Sequence, residues 1–191
     1  MLILMIQEYL EKLNKNVAQQ FENDYNYIME SNNSCDRMTV LETFQVMYAI
    51  EMALSRIYSI FSVQFPEERT FWKTISSDEI MHGDNIKRII LLIADNDLKY
   101  KVGRSFSIKA GVLLLENIKL YISDAKEKLI SKEKAFVIAC ELENYILETK
   151  YMDYLLTDNK EYKIFIGVIV KETAQHKSLI EKKFKDNCQQ E

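Results

Sequence analysis

From Thr39 to Asp95 apolar residues return every three or four positions, and a single proline, Pro66, interrupts them. That period marks helices that bury one face. Proline cannot sit inside a helix but suits the first turn of one. Two long helices, 39–64 and 67–95, must therefore meet at Pro66, and a break that short leaves only an antiparallel hairpin. Thr39 with Glu42 reads as a capping box at the start of the first helix, and the polar Asp95-Asn96-Asp97 ends the second.

The same rhythm returns over 132–156 and 159–185. Ser131 is the expected cap of the first of these helices, and Asp158 with Glu161 forms a second capping box. Between the hairpins a linker with Gly103 leads into a crossover helix at about 106–130, carrying Ile108, Val112, Leu115, Ile118 and Ile122. Residues 1–30 hold an amphipathic helix with Leu2, Ile6, Leu10, Leu13, Val17 and Phe21 on one face, closed by Ser31-Asn32-Asn33-Ser34. The chain has one proline and four glycines in 191 residues, and strand alternation is never sustained. The expected fold is all-α: a four-helix bundle over 39–185 with a long crossover and an extra N-terminal helix. That extra helix packs outside the bundle or against a second subunit, so a homodimer is the expected assembly.

Charge excludes one class of partner. Twenty-five basic and 29 acidic residues give a net charge of −4, with no long basic cluster, so no nucleic acid is expected to bind. The opening MLILMI is followed at once by Gln7, Glu8 and Glu11, too short an apolar run for a signal peptide or a membrane span. No membrane association is expected. Cys35, Cys140 and Cys188 are far apart and form no CxxC pair, which fits a reducing cytoplasm.

Several acids fall where burial is costly. Glu51 interrupts a row made by Phe44, Met47, Tyr48, Leu54 and Tyr58, and residues 44–54 hold no other charge. Glu79 and His82, three apart, share the stripe of Trp72, Ile75, Ile86, Ile89 and Ile93. In the last helix Glu172 and His176, four apart, join Phe165, Ile169, Leu179 and Lys183, and Thr173 stands where strict repetition would place the acid. The helix over 132–156 offers Glu141, Glu143 and Glu148; Glu143 is favoured because it precedes Glu172 by 29 residues much as Glu51 precedes Glu79 by 28. Glu141 and Glu148 stay open as alternative ligands. The chain's only two histidines thus fall at matching places in two hairpins, each behind a glutamate. One Glu from each of two helices, with a Glu/His pair from each of the other two, is how bundle cores hold two metal ions. Carboxylates with few imidazoles suit iron or manganese.

These residues resemble the ferritin-like di-iron carboxylate superfamily, nearest its rubrerythrin branch. The likeness covers roughly 39–185, crossover excluded, and is carried best by EMALSRIY (Glu51, Tyr58) followed by EIMH (Glu79, His82). It implies a ferritin-like bundle with terminal ligands at Glu51 and at the acid of the 132–156 helix (Glu143, or Glu141 or Glu148), bridging carboxylates at Glu79 and Glu172, and His82 and His176 each on one of two iron ions, with manganese as the substitute. The second motif here is ETAQH, and no paired CxxC module is present. Tyr48, Tyr58 and Tyr145 are placed to hydrogen-bond the ligands. The implied activity is reduction of peroxide or dioxygen, or oxidation of Fe(II), with electrons from a separate donor. The competing expectation is a degenerate, metal-poor bundle in which the same residues form a buried polar network, serving as a dimeric scaffold or ligand-binding protein.

Overall fold

A computed structural model describes residues 35–95, 98–104, 106–149 and 153–188. The N-terminal helix expected over 1–30 and the SNNS stop lie outside the described residues. Helix α1 (Cys35–Gln64) and helix α2 (Arg69–Ala94) form the first hairpin, joined by a single 3-10 turn, Pro66–Glu68. Phe65 is extended, with φ −117° and ψ 83°, as a residue before proline must be. Helix α1 begins four residues before the expected capping box. Thr39 lies inside it, its carbonyl accepting from the Thr43 hydroxyl.

The hairpin is closely packed because small residues meet at its centre. Ser76 Oγ donates to the Ser55 carbonyl at 2.9 Å and lies 3.2 Å from Ser55 Oγ. At the open end Arg37 donates to the carbonyls of Ile93 and Ala94, satisfying two of the orphan acceptors that end α2. Helix α1 is buried on nearly every side from Val40 to Phe61. By length and composition Arg37–Gln64 could cross a membrane, but its most apolar window is 72% buried inside the bundle. It is the central rod.

Helix α3 (Ile108–Lys126) is the crossover, capped by Ser107 Oγ accepting from the Ala110 N–H. It lies directly on α1: a Cβ at Gly111 would come within 2.6 Å of Val46 Cγ1. Helices α4 (Lys132–Thr149) and α5 (Lys160–Cys188) form the second hairpin. Ser131 caps α4 as expected, accepting from the Lys134 N–H. The second capping box is corrected by one residue. Asn159 Oδ1 accepts from the Tyr162 N–H, while Asp158 pairs with Lys163, because Thr157 Oγ1 takes the Asn159 N–H and sets the turn.

The expected run of α4 to residue 156 is also corrected. The helix ends at Thr149, and a small antiparallel ladder follows, β1 (Lys101–Val102) against β2 (Leu155–Leu156). Two further bonds extend it, Gly103 N–H to Tyr154 O and Arg104 N–H to Asp153 O. Tyr154 leaves helical phase to bury its ring 5.6 Å from Phe44 and donate its hydroxyl to Thr43 Oγ1 at 2.8 Å. Gly103 is needed there, since a Cβ would sit 2.4 Å from the Asp153 carbonyl. The result is a five-helix bundle among the described residues. Its core is aromatic on both sides of Glu51 and His82: Tyr58, Phe61, Phe71, Trp72 and Phe136 pack ring on ring on one side, and Phe44 meets Tyr154 and Tyr162 on the other.

Candidate metal centre

Mid-height in the bundle, four helices bring ionisable side chains to one dry place. Helix α1 supplies Glu51, α2 supplies Glu79 and His82, α4 supplies Glu143 and α5 supplies His176; none is more than 3% exposed. Glu79 stands between the two imidazoles. Its Oε2 is 3.0 Å from His82 Nδ1 and its Oε1 is 2.9 Å from His176 Nδ1. Glu51 Oε2 lies 3.7 Å from His82 Nδ1, and Glu143 Oε2 lies 3.9 Å from His176 Nδ1. Two donor sets result, Glu51/Glu79/His82 and Glu79/Glu143/His176, each with its ligand atoms within 4.8 Å of one another. The rings face each other at 5.7 Å between centroids.

The outward nitrogens are held by crossed carboxylates. Glu172 on α5 lies 3.0 Å from Nε2 of His82 on α2, and Asp78 on α2 lies 3.2 Å from Nε2 of His176 on α5. Each acid precedes a histidine of its own helix by four residues and serves the histidine of the other. With the outer nitrogen donating to a carboxylate, the inner nitrogen is free to face a cation. Glu172 therefore stands behind His82 and joins neither donor set. The reason lies in the face that α5 buries. Ile166, Ile169, Thr173, His176 and Ile180 form that face, whereas Leu179 is 50% exposed and Lys183 reaches to Glu68 and over the Phe71 ring.

Among the three acids considered on α4, Glu143 points inward and Glu141 and Glu148 are exposed; Glu148 accepts from Asn144 Nδ2. Tyr58 donates to Glu143 Oε1 at 2.7 Å. Tyr48 is buried beside Gly83, the residue after His82. Tyr145 lines a surface cleft with Arg104, Phe106 and Glu148 rather than the cluster. Sequence reasoning missed Asp78. Its signal is the shared i−4 spacing to a histidine, 78 to 82 and 172 to 176, which marks an outward acid that burial patterning alone does not single out.

The electrostatics of this place are strained without a cation. Both oxygens of Glu51 and Oε2 of Glu143 are buried without a hydrogen-bond partner, and Oε1 of Glu79 and Nδ1 of His176 have only each other, at 2.9 Å. Burial pushes the Glu51 carboxyl up to about 8 and Glu143 well above the usual carboxylate range, with the charge of Glu79 adding to the rise. Burial also works against ionised Glu79, but its bonds to His176 and His82 win and hold it at about 2. Burial opposes the charged form of His82, yet contacts with Glu51 and Glu79 raise it to about 11. His176 is raised in the same way, mainly by Glu79. Several acceptor-only oxygens aimed at one point cost several kcal/mol if left unpaired. A cation satisfies them together, so the donor chemistry fits a metal ion. No family model, curated protein or solved structure matches the chain.

Proposed function

We propose that the protein is a dinuclear metalloprotein of the ferritin-like, rubrerythrin-like kind, with Glu79 shared between two cations. One is held by Glu51 and His82, the other by Glu143 and His176. The observation that carries this reading is the placement of one Glu79 oxygen before each inner imidazole nitrogen, at 3.0 and 2.9 Å. Carboxylates dominate the donor set, which favours iron, with manganese as the alternative. When bound, such a pair supplies two-electron chemistry toward peroxide or dioxygen, or accepts electrons from Fe(II).

The chain's own residues prepare that chemistry. Glu172 and Asp78 take the outer ring protons and aim the Nδ1 atoms inward. Tyr58 fixes the Glu143 carboxylate. Cation binding displaces the protons that Glu51 and the two inner ring nitrogens hold in the metal-free protein. The aromatic layer around Trp72 keeps water out from one end. Electrons come from a separate donor, and the expected setting is a cytoplasmic homodimer. Anaerobic loading with Fe(II) followed by metal analysis is expected to find two iron ions per chain, and an oxo-bridge absorbance after air exposure. Protein that takes up neither iron nor manganese would refute the proposal.

One observation favours a second reading. Thr173 occupies the buried face of α5 where a further acid is missing, which suits a metal-poor bundle acting as a scaffold or ligand-binding protein. The same metal analysis separates the two.

A further inference from the structure

A surface cleft of about 200 Å³ lies between the first turn of α3 and the last turn of α4 and shares no residue with the Glu/His cluster. Arg104 and Glu148 line it together with Phe106 and Tyr145. The lining is held in place by contacts outside the cleft. The ladder fixes the backbone of Arg104, whose N–H donates to the Asp153 carbonyl at 2.8 Å. Phe106 presses on α3, where a Cβ at Gly111 would come within 3.1 Å of its ring, and it meets Tyr154 edge to face at 6.4 Å between centroids. Glu148 Oε1 accepts from Asn144 Nδ2 at 2.6 Å, and Asn144 Oδ1 accepts from Lys177 Nζ on α5 at 2.7 Å. That leaves the second Glu148 oxygen to a ligand.

Charge and size then define what fits. Arg104 and Glu148 are opposite in sign, yet no ion pair joins them among the described residues. A ligand with a single charge matches one of them and opposes the other, whereas a ligand with both charges on a short frame matches both. A guanidinium fork takes a carboxylate through two parallel bonds. A glutamate takes an ammonium group, and aromatic rings cover the carbon frame and attract the cation. At about 30 Å³ per water-sized group, 200 Å³ holds roughly seven such groups, short of the roughly 300 Å³ at which sites for larger ligands such as nucleotides begin. We propose that this cleft binds a small zwitterion of the α-amino-acid class, its carboxylate on Arg104, its ammonium on Glu148 and its carbon frame against the Phe106 and Tyr145 rings. The site uses none of the cluster residues, so it stands or falls apart from the dinuclear reading.

Proton–nitrogen NMR of the full chain provides the test, with L-serine and L-valine as probes and acetate and methylammonium as single-charge controls. Each amino acid is expected to shift the amide signals of residues 106–111 and 144–149 saturably, at one molecule per chain. Neither control should saturate. R104Q and E148Q should each weaken binding about tenfold or more, because each removes a bond to a charged group. No saturable shift up to about 10 mM amino acid overturns the site. Acetate or methylammonium binding as tightly as the amino acids overturns the zwitterion, and binding unchanged in either variant overturns the assigned contacts. Both side chains are exposed, so the variants should keep the circular dichroism of wild type. If one unfolds, the wild-type shifts decide: saturable shifts centred on other residues overturn the proposal.

Discussion

Glu79 shows how one residue can be legible in sequence and still need a structure to explain it. Its stripe predicts burial, and it is buried; that its two oxygens part toward different histidines follows only from where α5 lies. The crossed acids lead to an asymmetric prediction. D78N loosens the His176 half and E172Q loosens the His82 half, each lowering affinity for one ion about 10- to 100-fold. Stepwise metal titration of both variants should show one weakened and one near-normal step, with the weak step exchanged between them. Equal weakening of both steps would contradict the crossed arrangement. The same pair marks what sequence could not settle. Glu172 is read as an inward ligand because it neighbours His176, yet side-chain direction in a helix is set by which face is buried, and Ile169, Thr173 and Ile180 take that face.

At the scale of elements, helix existence was plain from periodicity and the ends were not. Four described helices and the crossover lie where the apolar stripes predict, because long runs with no internal proline and at most one glycine have little competing local structure. The errors fall where long-range contacts override the local pattern. Residues 150–156 carry a helical rhythm, but Tyr154 docks on Phe44 and Thr43, and backbone pairing with 101–104 draws the chain out of the helix. Two-residue strands leave no alternation to read. The ladder has a testable weak point in Gly103. G103A forces a Cβ against the Asp153 carbonyl and should lower stability by about 1–3 kcal/mol, read by urea denaturation. A variant as stable as wild type would mean that the ladder does not tie the crossover to the second hairpin.

For the whole molecule, the buried Glu/His cluster is a stability switch governed by pH. In the metal-free protein Glu51 is raised from 4.5 to about 8, so its contribution is present below 4.5 and lost as pH rises through 8. His82, raised from 6.5 to about 11, contributes below 6.5 and loses that contribution through 11. Glu79, lowered to about 2, contributes above 4.5 and loses it as pH falls toward 2. All three favour mildly acidic pH, and the loss on the alkaline side is steepest where Glu51 and His82 overlap, between 6.5 and 8. Melting temperatures of metal-free protein should therefore fall across that window, and E51Q should flatten the fall. A cation bound by the cluster would displace the same protons, so its stabilising effect should grow with pH. A metal-free melting curve that rises from pH 6.5 to 8 would contradict this.

Whether two cations share Glu79 is decided by electron paramagnetic resonance of the manganese(II)-loaded protein. Wild type is expected to give the spectrum of an exchange-coupled manganese pair, collapsing in E79Q to that of isolated ions or of none. A wild-type spectrum of magnetically isolated manganese, or one that E79Q leaves unchanged, would contradict it.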